Sequence, residues 1–397
     1  MTSAPAWPAV GYETLPWRSR YEQGTASRAE IRRHAGPYRA AVLPPIADTE
    51  LLLPGETAAA AADAAAEIAR FDAELGGEIA PFASVLLRSE SAASSRIENL
   101  TASARAIAEA ELGARGSGNA AEVVANTRAM DAAIALADRL DADAILAMHG
   151  ALMADTDPAI AGAWRTDQVW IGGGRLGPHQ ALFVPPQATG VAPAIADLVR
   201  FLARDDLPVL PHAAVAHAQF ETIHPFPDGN GRTGRALLHA VLRSKGLTRS
   251  VTAPVSAGLL TDTAAYFAAL DAYRAGDPTA IVRALADASF AAVTNGRALV
   301  AELRELRARW GETVRARRDS AVWRVADLLL RHPVVDAALL TRELGVAGTN
   351  VYRSLEPLQE AGVLVVTGEG RRNRTWRAPE VLAALDAFAA RAGRRAR

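Results

Sequence analysis

His224-Pro225-Phe226-Pro227-Asp228-Gly229-Asn230-Gly231-Arg232-Thr233-Gly234-Arg235 is the stretch that decides what kind of chain this is. Its glycines at 229, 231 and 234 satisfy G-x-G-x-x-G, the dinucleotide fingerprint, which needs a preceding strand and an acidic residue about 20 positions on. Here the helical stretch His212 to Ile223 precedes it, and no Asp or Glu lies between Asp228 and Asp262. A Rossmann reading is therefore excluded.

Backbone chemistry says what the stretch does instead. Pro225 disfavours helical φ/ψ at His224, so the preceding helix ends there with the imidazole at a helix-to-loop junction. Gly229 and Gly231 permit a tight turn that aims successive N–H groups at one point just before a new helix, which makes an anion nest at a helix N-terminus. Arg232 and Arg235, three apart, share a helix face and reach consecutive phosphates. Asp228, the one carboxylate of the loop, suits a Mg²⁺ that bridges phosphates. His224 is the group able to take a proton near neutral pH. Phe226 is the expected core anchor. A lone Gly-Asn-Gly or His-x-x-x-Asp would be an ordinary surface turn; the joint pattern is what carries the chemistry.

Working outward, the 397 residues are half hydrophobic with a net charge of −1. At roughly 100–200 residues per domain that length predicts two or three domains. With no cysteine, disulfides, thiolate metal sites and cysteine nucleophiles are excluded. Residues 1–20 lack a basic segment followed by an apolar run, so no signal peptide is expected. The longest stretch without a formal charge, Leu176 to Ala196, is broken by prolines and cannot span a membrane. The expected location is the cytoplasm. From Arg297 onward 19 Arg face 12 Asp and Glu, so the tail is basic and the rest acidic. Lys245 is the only lysine, and this Arg and Ala abundance reflects a GC-rich coding sequence, so a single Arg carries little information.

The pattern predicts a mainly α protein. Residues 1–55 read as an extended N-terminal arm ending at Leu43-Pro44-Pro45-Ile46, and Ala-rich helices follow over 56–298. Within them, Val169-Trp170-Ile171 and Ala181-Leu182-Phe183-Val184, around Gly172-Gly173-Gly174, predict an inserted β-hairpin. Leu299, Leu303, Leu306, Trp310 and Val314 mark a connecting helix over 299–318. Residues 319–397 predict helices 321–331, 337–344 and 349–361 with a two-stranded wing at 363–366 and 375–377, a winged helix-turn-helix. Thr349, Asn350, Arg353 and Ser354 on its third helix and Arg371, Arg372, Asn373 and Arg374 in its wing form a candidate DNA-contacting set over 349–377; such modules also bind proteins. A DNA-binding transcriptional regulator is thus the alternative class of function.

The 224–235 run resembles, position by position, the Fic family motif His-x-Phe-x-(Asp/Glu)-Gly-Asn-Gly-Arg-x-x-Arg. The segment Leu86 to Asn99 resembles the inhibitory helix that some Fic proteins carry ahead of the core, with (Ser/Thr)-x-x-x-Glu-(Gly/Asn) met by Ser94, Glu98 and Asn99. The resemblance implies a Fic-type helical domain with a β-hairpin flap at about 169–184, and an enzyme moving AMP from ATP to a Ser, Thr or Tyr hydroxyl of a target protein docked on that flap. It implies His224 as catalytic base; Thr222, Pro227, Asp228, Gly229, Asn230, Gly231, Arg232, Thr233 and Arg235 as nucleotide-binding residues; and Asp228 as the Mg²⁺ ligand. Ile281, where many relatives have tryptophan, departs from the pattern near the adenine. Fic-like sites also remove AMP or transfer other phosphate-containing groups. Tyr266 either lines the adenine pocket or is a core aromatic. Glu98 either caps a helix through Ser95-x-x-Glu98 or, as the resemblance implies, pairs with Arg235 at the γ-phosphate position and inhibits. His149, His212, His217 and His239 are read as packing or surface residues. A second copy of the chain is a further candidate partner.

Overall fold

The computed structural model describes residues 7–17, 27–76, 79–113, 118–174, 176–345, 349–367 and 374–393. The chain is mostly helical, with two short sheets. It divides into two compact units: residues 1–62, 132–244 and 264–285, and residues 63–131, 245–263 and 286–397.

The first unit is built on helix Val209–Ile223, whose residues from Leu210 onward are all buried, and helix Asn230–Ser244, buried over most of its length. The Val209–Ile223 helix is buried on every side, its polar residues included, and fixes the floor of the motif. Gly234 lets the two helices meet: a Cβ there would sit 2.7 Å from Glu221 Oε1 and 2.9 Å from Phe220. The expected extended arm is instead an antiparallel ribbon, Gly11–Leu15 paired with Tyr38–Val42, with a short helix Arg28–Arg33 between. Among the described residues the expected hairpin is reduced to one bridge, Ile171 with Phe183, with Ile171 N–H bonding Phe183 O at 2.8 Å. Its legs are buttressed by Trp17, Tyr38, Trp170 and Val184, with Ala41 N–H donating to Val184 O at 3.0 Å.

In the second unit, helix Ile79–Ile97 is the organiser. Buried Glu90 accepts from the Ser256 amide at 2.8 Å and from its hydroxyl; Asn126 Nδ2 donates to Ser91 O at 2.9 Å; Arg88 pairs with Glu111 through two bonds of 2.6 and 2.9 Å. Arg96 donates to Ala389 O of helix Pro379–Ala392 at 2.7 Å. The apolar residues from Leu299 to Trp310 lie in one continuous helix, Thr279–Thr313, that begins well before the expected connector, and Val314 follows its end. The tail forms helices Ala321–Arg331, Ala337–Leu344 and Thr349–Glu360. Its sheet has three strands: Thr375–Arg377 lies between Val334–Asp336 and Val365–Thr367. The expected wing residues 368–373, Arg371, Arg372 and Asn373 among them, lie outside the described residues. Among the described residues no helix is long and apolar enough to cross a membrane.

Candidate active site

Helix Val209–Ile223 ends where Pro225 requires, and His224 takes left-handed backbone with φ 49°, its N–H still bonding Phe220 O at 2.9 Å. Asn230 then closes the loop from within. Its Oδ1 accepts the Phe226 N–H at 2.8 Å and its Nδ2 donates to Phe226 O at 2.9 Å, so one side chain satisfies both backbone groups of a fully buried residue. The Phe226 ring stacks on His149, with centroids 3.7 Å apart, and on Trp164. Gly229 is required twice over: φ is +74°, and a Cβ would lie 2.9 Å from Leu152. Helix Asn230–Ser244 starts inside the turn, and the Thr233 N–H bonds Gly229 O at 3.0 Å.

The electrostatics favour anions. Arg232 and Arg235 are both buried on this helix. Burial first, then the charges of Arg274 and Arg165, push the half-buried His224 imidazole down to about 3, against the Glu221 carbonyl and Asp228. The ring is therefore neutral at physiological pH and able to accept a proton. His149 is held neutral too, at about 4, by burial and the Arg232 charge. Its Nδ1 accepts the Gly162 N–H at 3.1 Å, so Nε2 carries the proton and donates to Asp228 O at 3.1 Å. Asp228 itself is exposed, its Oδ1 accepting the Gly229 N–H at 2.7 Å.

The structure thus gathers His224, Pro227, Asp228, Gly229, Asn230, Gly231, Arg232, Thr233 and Arg235 on one turn and the helix it starts. Two expected nucleotide contacts are placed otherwise. Thr222 is buried and its hydroxyl donates to Ala218 O at 2.7 Å. Tyr266 is 2% exposed, its hydroxyl sharing a 2.8 Å hydrogen bond with His217 Nε2, so it is a core aromatic and the exposed ring is its neighbour Phe267. Ile281 is likewise buried. Ser94 is buried in helix Ile79–Ile97, and Glu98 stands exposed at its C-terminal end. Asn99 N–H bonds Arg96 O and Leu100 N–H bonds Ser95 O, both at 3.0 Å, with Asn99 at φ 62°. That is a Schellman ending, so Ser95 and Glu98 close a helix and the capping-box reading of Glu98 is removed.

Sequence reasoning missed Arg165, Gln168, Arg274 and the part His149 plays. Arg165 bonds the carbonyl of His224 at 2.9 Å. Gln168 Nε2 donates to Val169 O and Pro185 O at 3.0 and 2.9 Å, tying the hairpin legs. Arg274, 9% exposed, lies 3.9 Å over the Phe183 ring.

Comparison with known proteins matches this region. Residues 139–242 fit the Fic/DOC family. Protein adenylyltransferase fic-1 of Caenorhabditis briggsae is 34% identical over 140 residues, 34% of this chain and 25% of the relative. A probable protein adenylyltransferase of Aquifex aeolicus is 44% identical over 68 residues, 17% of this chain and 21% of that one. The chain thus matches about a quarter of the length of these curated relatives. A Fic family protein from Desulfovibrio desulfuricans shares the fold, with a TM-score of 0.50 and 23% identity over 85% of this chain and 98% of that one. The turn that holds His224 and the helices on either side of it are a Fic/DOC-family domain.

Proposed function

We propose that the chain is a protein AMP transferase, moving AMP from ATP to a Ser, Thr or Tyr hydroxyl of a target protein. The observation that carries this is the neutral His224 imidazole held at a helix end, beside a turn that opens a helix N-terminus and two buried arginines. His224 takes the hydroxyl proton; the oxygen attacks the α-phosphorus, the bond to the β-phosphate bridge breaks, and pyrophosphate leaves. The amides of Asn230 and Gly231 with Arg232 stabilise charge on the phosphoryl oxygens, and Arg235 holds the γ-phosphate. The anionic triphosphate offsets the charges of Arg274 and Arg165 and so raises the basicity of His224 when it is needed. Asp228 fits Mg²⁺ as an exposed hard-oxygen ligand on the loop, and would hold the ion if it binds with the nucleotide. The ion, when bound, neutralises charge on the leaving group. The hairpin at 169–184 aligns the target segment through its backbone.

Glu98 restrains this chemistry, as the resemblance of residues 86–99 to the inhibitory helix implies. Its place at an exposed helix end, with the capping role removed, supports that reading. Glu98→Gly should raise incorporation of α-phosphate label from ATP into the protein or a cognate lysate, and adding His224→Ala should abolish the gain. Mass spectrometry of the products reports the added group, which separates AMP from any other phosphate-containing group, and its acceptor. No gain from Glu98→Gly sinks the inhibitory reading.

A second function, DNA binding by a winged helix in the tail, is supported by the exposed Asn350 and Arg353 on helix Thr349–Glu360. Ser354 does not belong to that surface, since it is 8% exposed and its hydroxyl bonds Asn350 O at 3.0 Å. A salt-titrated gel shift tests it: affinity that ignores salt, or that survives Asn350→Ala with Arg353→Ala, removes this helix as a DNA reader.

A further inference from the structure

Arg165 is 3% exposed, and among the described residues no carboxylate pairs with it. Every bond it makes goes to a backbone carbonyl. Nε donates to His224 O at 2.9 Å, Nη1 to Asp167 O at 3.0 Å, Nη2 to Pro186 O, and its own backbone N–H to Pro225 O at 2.9 Å. Burial holds its pKa down to about 10. A buried guanidinium without an anion is costly. What offsets the cost is its position at the C-terminal end of the 15-residue helix Val209–Ile223, where the last carbonyls lack intrahelical donors and the helix dipole is negative.

Those carbonyls belong to two different structures. His224 and Pro225 form the catalytic turn, whereas Asp167 and Pro186 are the entry and exit of the hairpin. One planar, five-donor fork therefore joins the base of the hairpin to the residue carrying the imidazole. Lysine, with a single rotatable ammonium, cannot reproduce that geometry.

We propose that Arg165 is a positioning residue that makes the hairpin and His224 one mechanical unit, so that a target segment docked on the hairpin meets the imidazole at a fixed offset. This rests on the reading of His224 as the base and of the hairpin as the target-docking element. Gln168 closes the hairpin legs on themselves and accepts from the Tyr38 hydroxyl at 3.2 Å, but it does not reach the catalytic turn. Arg165 alone among these residues bonds both.

The test compares full-length wild type with Arg165→Lys and Arg165→Met, first without any activity. Hydrogen–deuterium exchange is followed in segments 166–186 and 222–230 in the absence of nucleotide. The expected result is that both segments lose protection together, more in Arg165→Met than in Arg165→Lys, while the interiors of helices Val209–Ile223 and Asn230–Ser244 stay protected. In a Glu98→Gly background, kcat for AMP incorporation into protein should fall on the order of 10²-fold, as expected for small misplacement of a reacting group, with KM for ATP little changed. Loosening of one segment without the other, or wild-type exchange in both variants, overturns the proposal. If Arg165→Met loses protection everywhere, Arg165→Lys decides by the same criterion. If Glu98→Gly with Arg165 intact transfers no AMP, the functional reading fails, while the exchange data still decide whether Arg165 couples the two segments.

Discussion

Among the described residues, two non-glycine positions hold left-handed backbone, His224 at φ 49° and Asn99 at φ 62°, and each ends a helix. The His224 ending is fixed by side chains from outside its helix: Arg165 on its carbonyl, Asn230 across Phe226, and His149 on Asp228. The Asn99 turn itself is closed by backbone, through amides donating to Arg96 and Ser95 carbonyls, while Asn126 on Ser95 and Arg96 on Ala389 hold the helix just before it; Glu98 and Asn99 are exposed. The same backbone conformation thus serves two purposes. Under the proposed function, the end that carries the base is buttressed across elements, and the end that carries the inhibitory glutamate turns on local backbone bonds.

The largest expected effect falls on the buttressed end. His224→Ala in the Glu98→Gly background should lower AMP incorporation by about 10³-fold, within the range for loss of a general base. The fold should survive it, since the carbonyl that Arg165 binds remains. Nucleotide affinity measured by calorimetry should change little. Retained transfer would mean that the rigid end is not the catalytic one.

Next in size is the response to acid, which separates the two endings by chemistry. His149 folds with its pKa lowered from 6.5 to about 4, so the unfolded chain binds the proton first. Its contribution is therefore fully present above pH 6.5 and is lost as pH falls toward 4, up to about 3 kcal/mol. His217, buried against Tyr266 and held at about 3, adds loss with the same sign. Urea unfolding at pH 7 and pH 4.5 should show the fall, and His149→Gln should flatten part of it. The bonds that close the Asn99 turn join amides to carbonyls and do not titrate.

Asn230→Ala comes third. It leaves the N–H and C=O of Phe226 buried without partners, at about 1–3 kcal/mol. Thermal unfolding should report the loss, and kcat should fall roughly 10-fold or more because the turn moves. Asn230→Asp keeps the acceptor and loses the donor, so it should fall between.

Much of this contrast was legible in the sequence because local rules wrote it. Pro225 ends the helix at His224, Gly229 supplies positive φ, and the tail helices 321–331 and 337–344 begin and stop where Ser320, Asp336, Pro333 and Gly345 dictate. Arg165 was not legible. Its partners lie 59 and 21 residues away and are carbonyls, which every residue has, and one arginine among so many carries no signal. The ribbon in the first 55 residues was missed for a related reason: the pairing of Gly11 with Val42 is long-range, and its strands, five residues each, are too short to show a period. The side of Tyr266 stayed open in the sequence for a different reason, since spacing cannot say which of two adjacent aromatic rings, Tyr266 or Phe267, faces the core.

The smallest expected effect is the most pointed, because it acts on backbone conformation alone. The pattern that residues 94–99 resemble allows Gly or Asn after the glutamate, and φ 62° at Asn99 is a backbone that both residues tolerate; if Glu98 inhibits as proposed, its placement depends on that turn. Asn99→Gly should therefore leave AMP incorporation at the wild-type level. Asn99→Val, β-branched at positive φ, costs about 1–2 kcal/mol there. Much of that strain is relieved by unwinding the last turn, which carries Glu98 with it. Basal incorporation should then rise severalfold, short of the rise in Glu98→Gly, with little change in melting temperature. Equal behaviour of the glycine and valine variants would mean that Glu98 is held by something other than the turn that ends its helix, and the contrast between a buttressed and a yielding helix end would no longer stand.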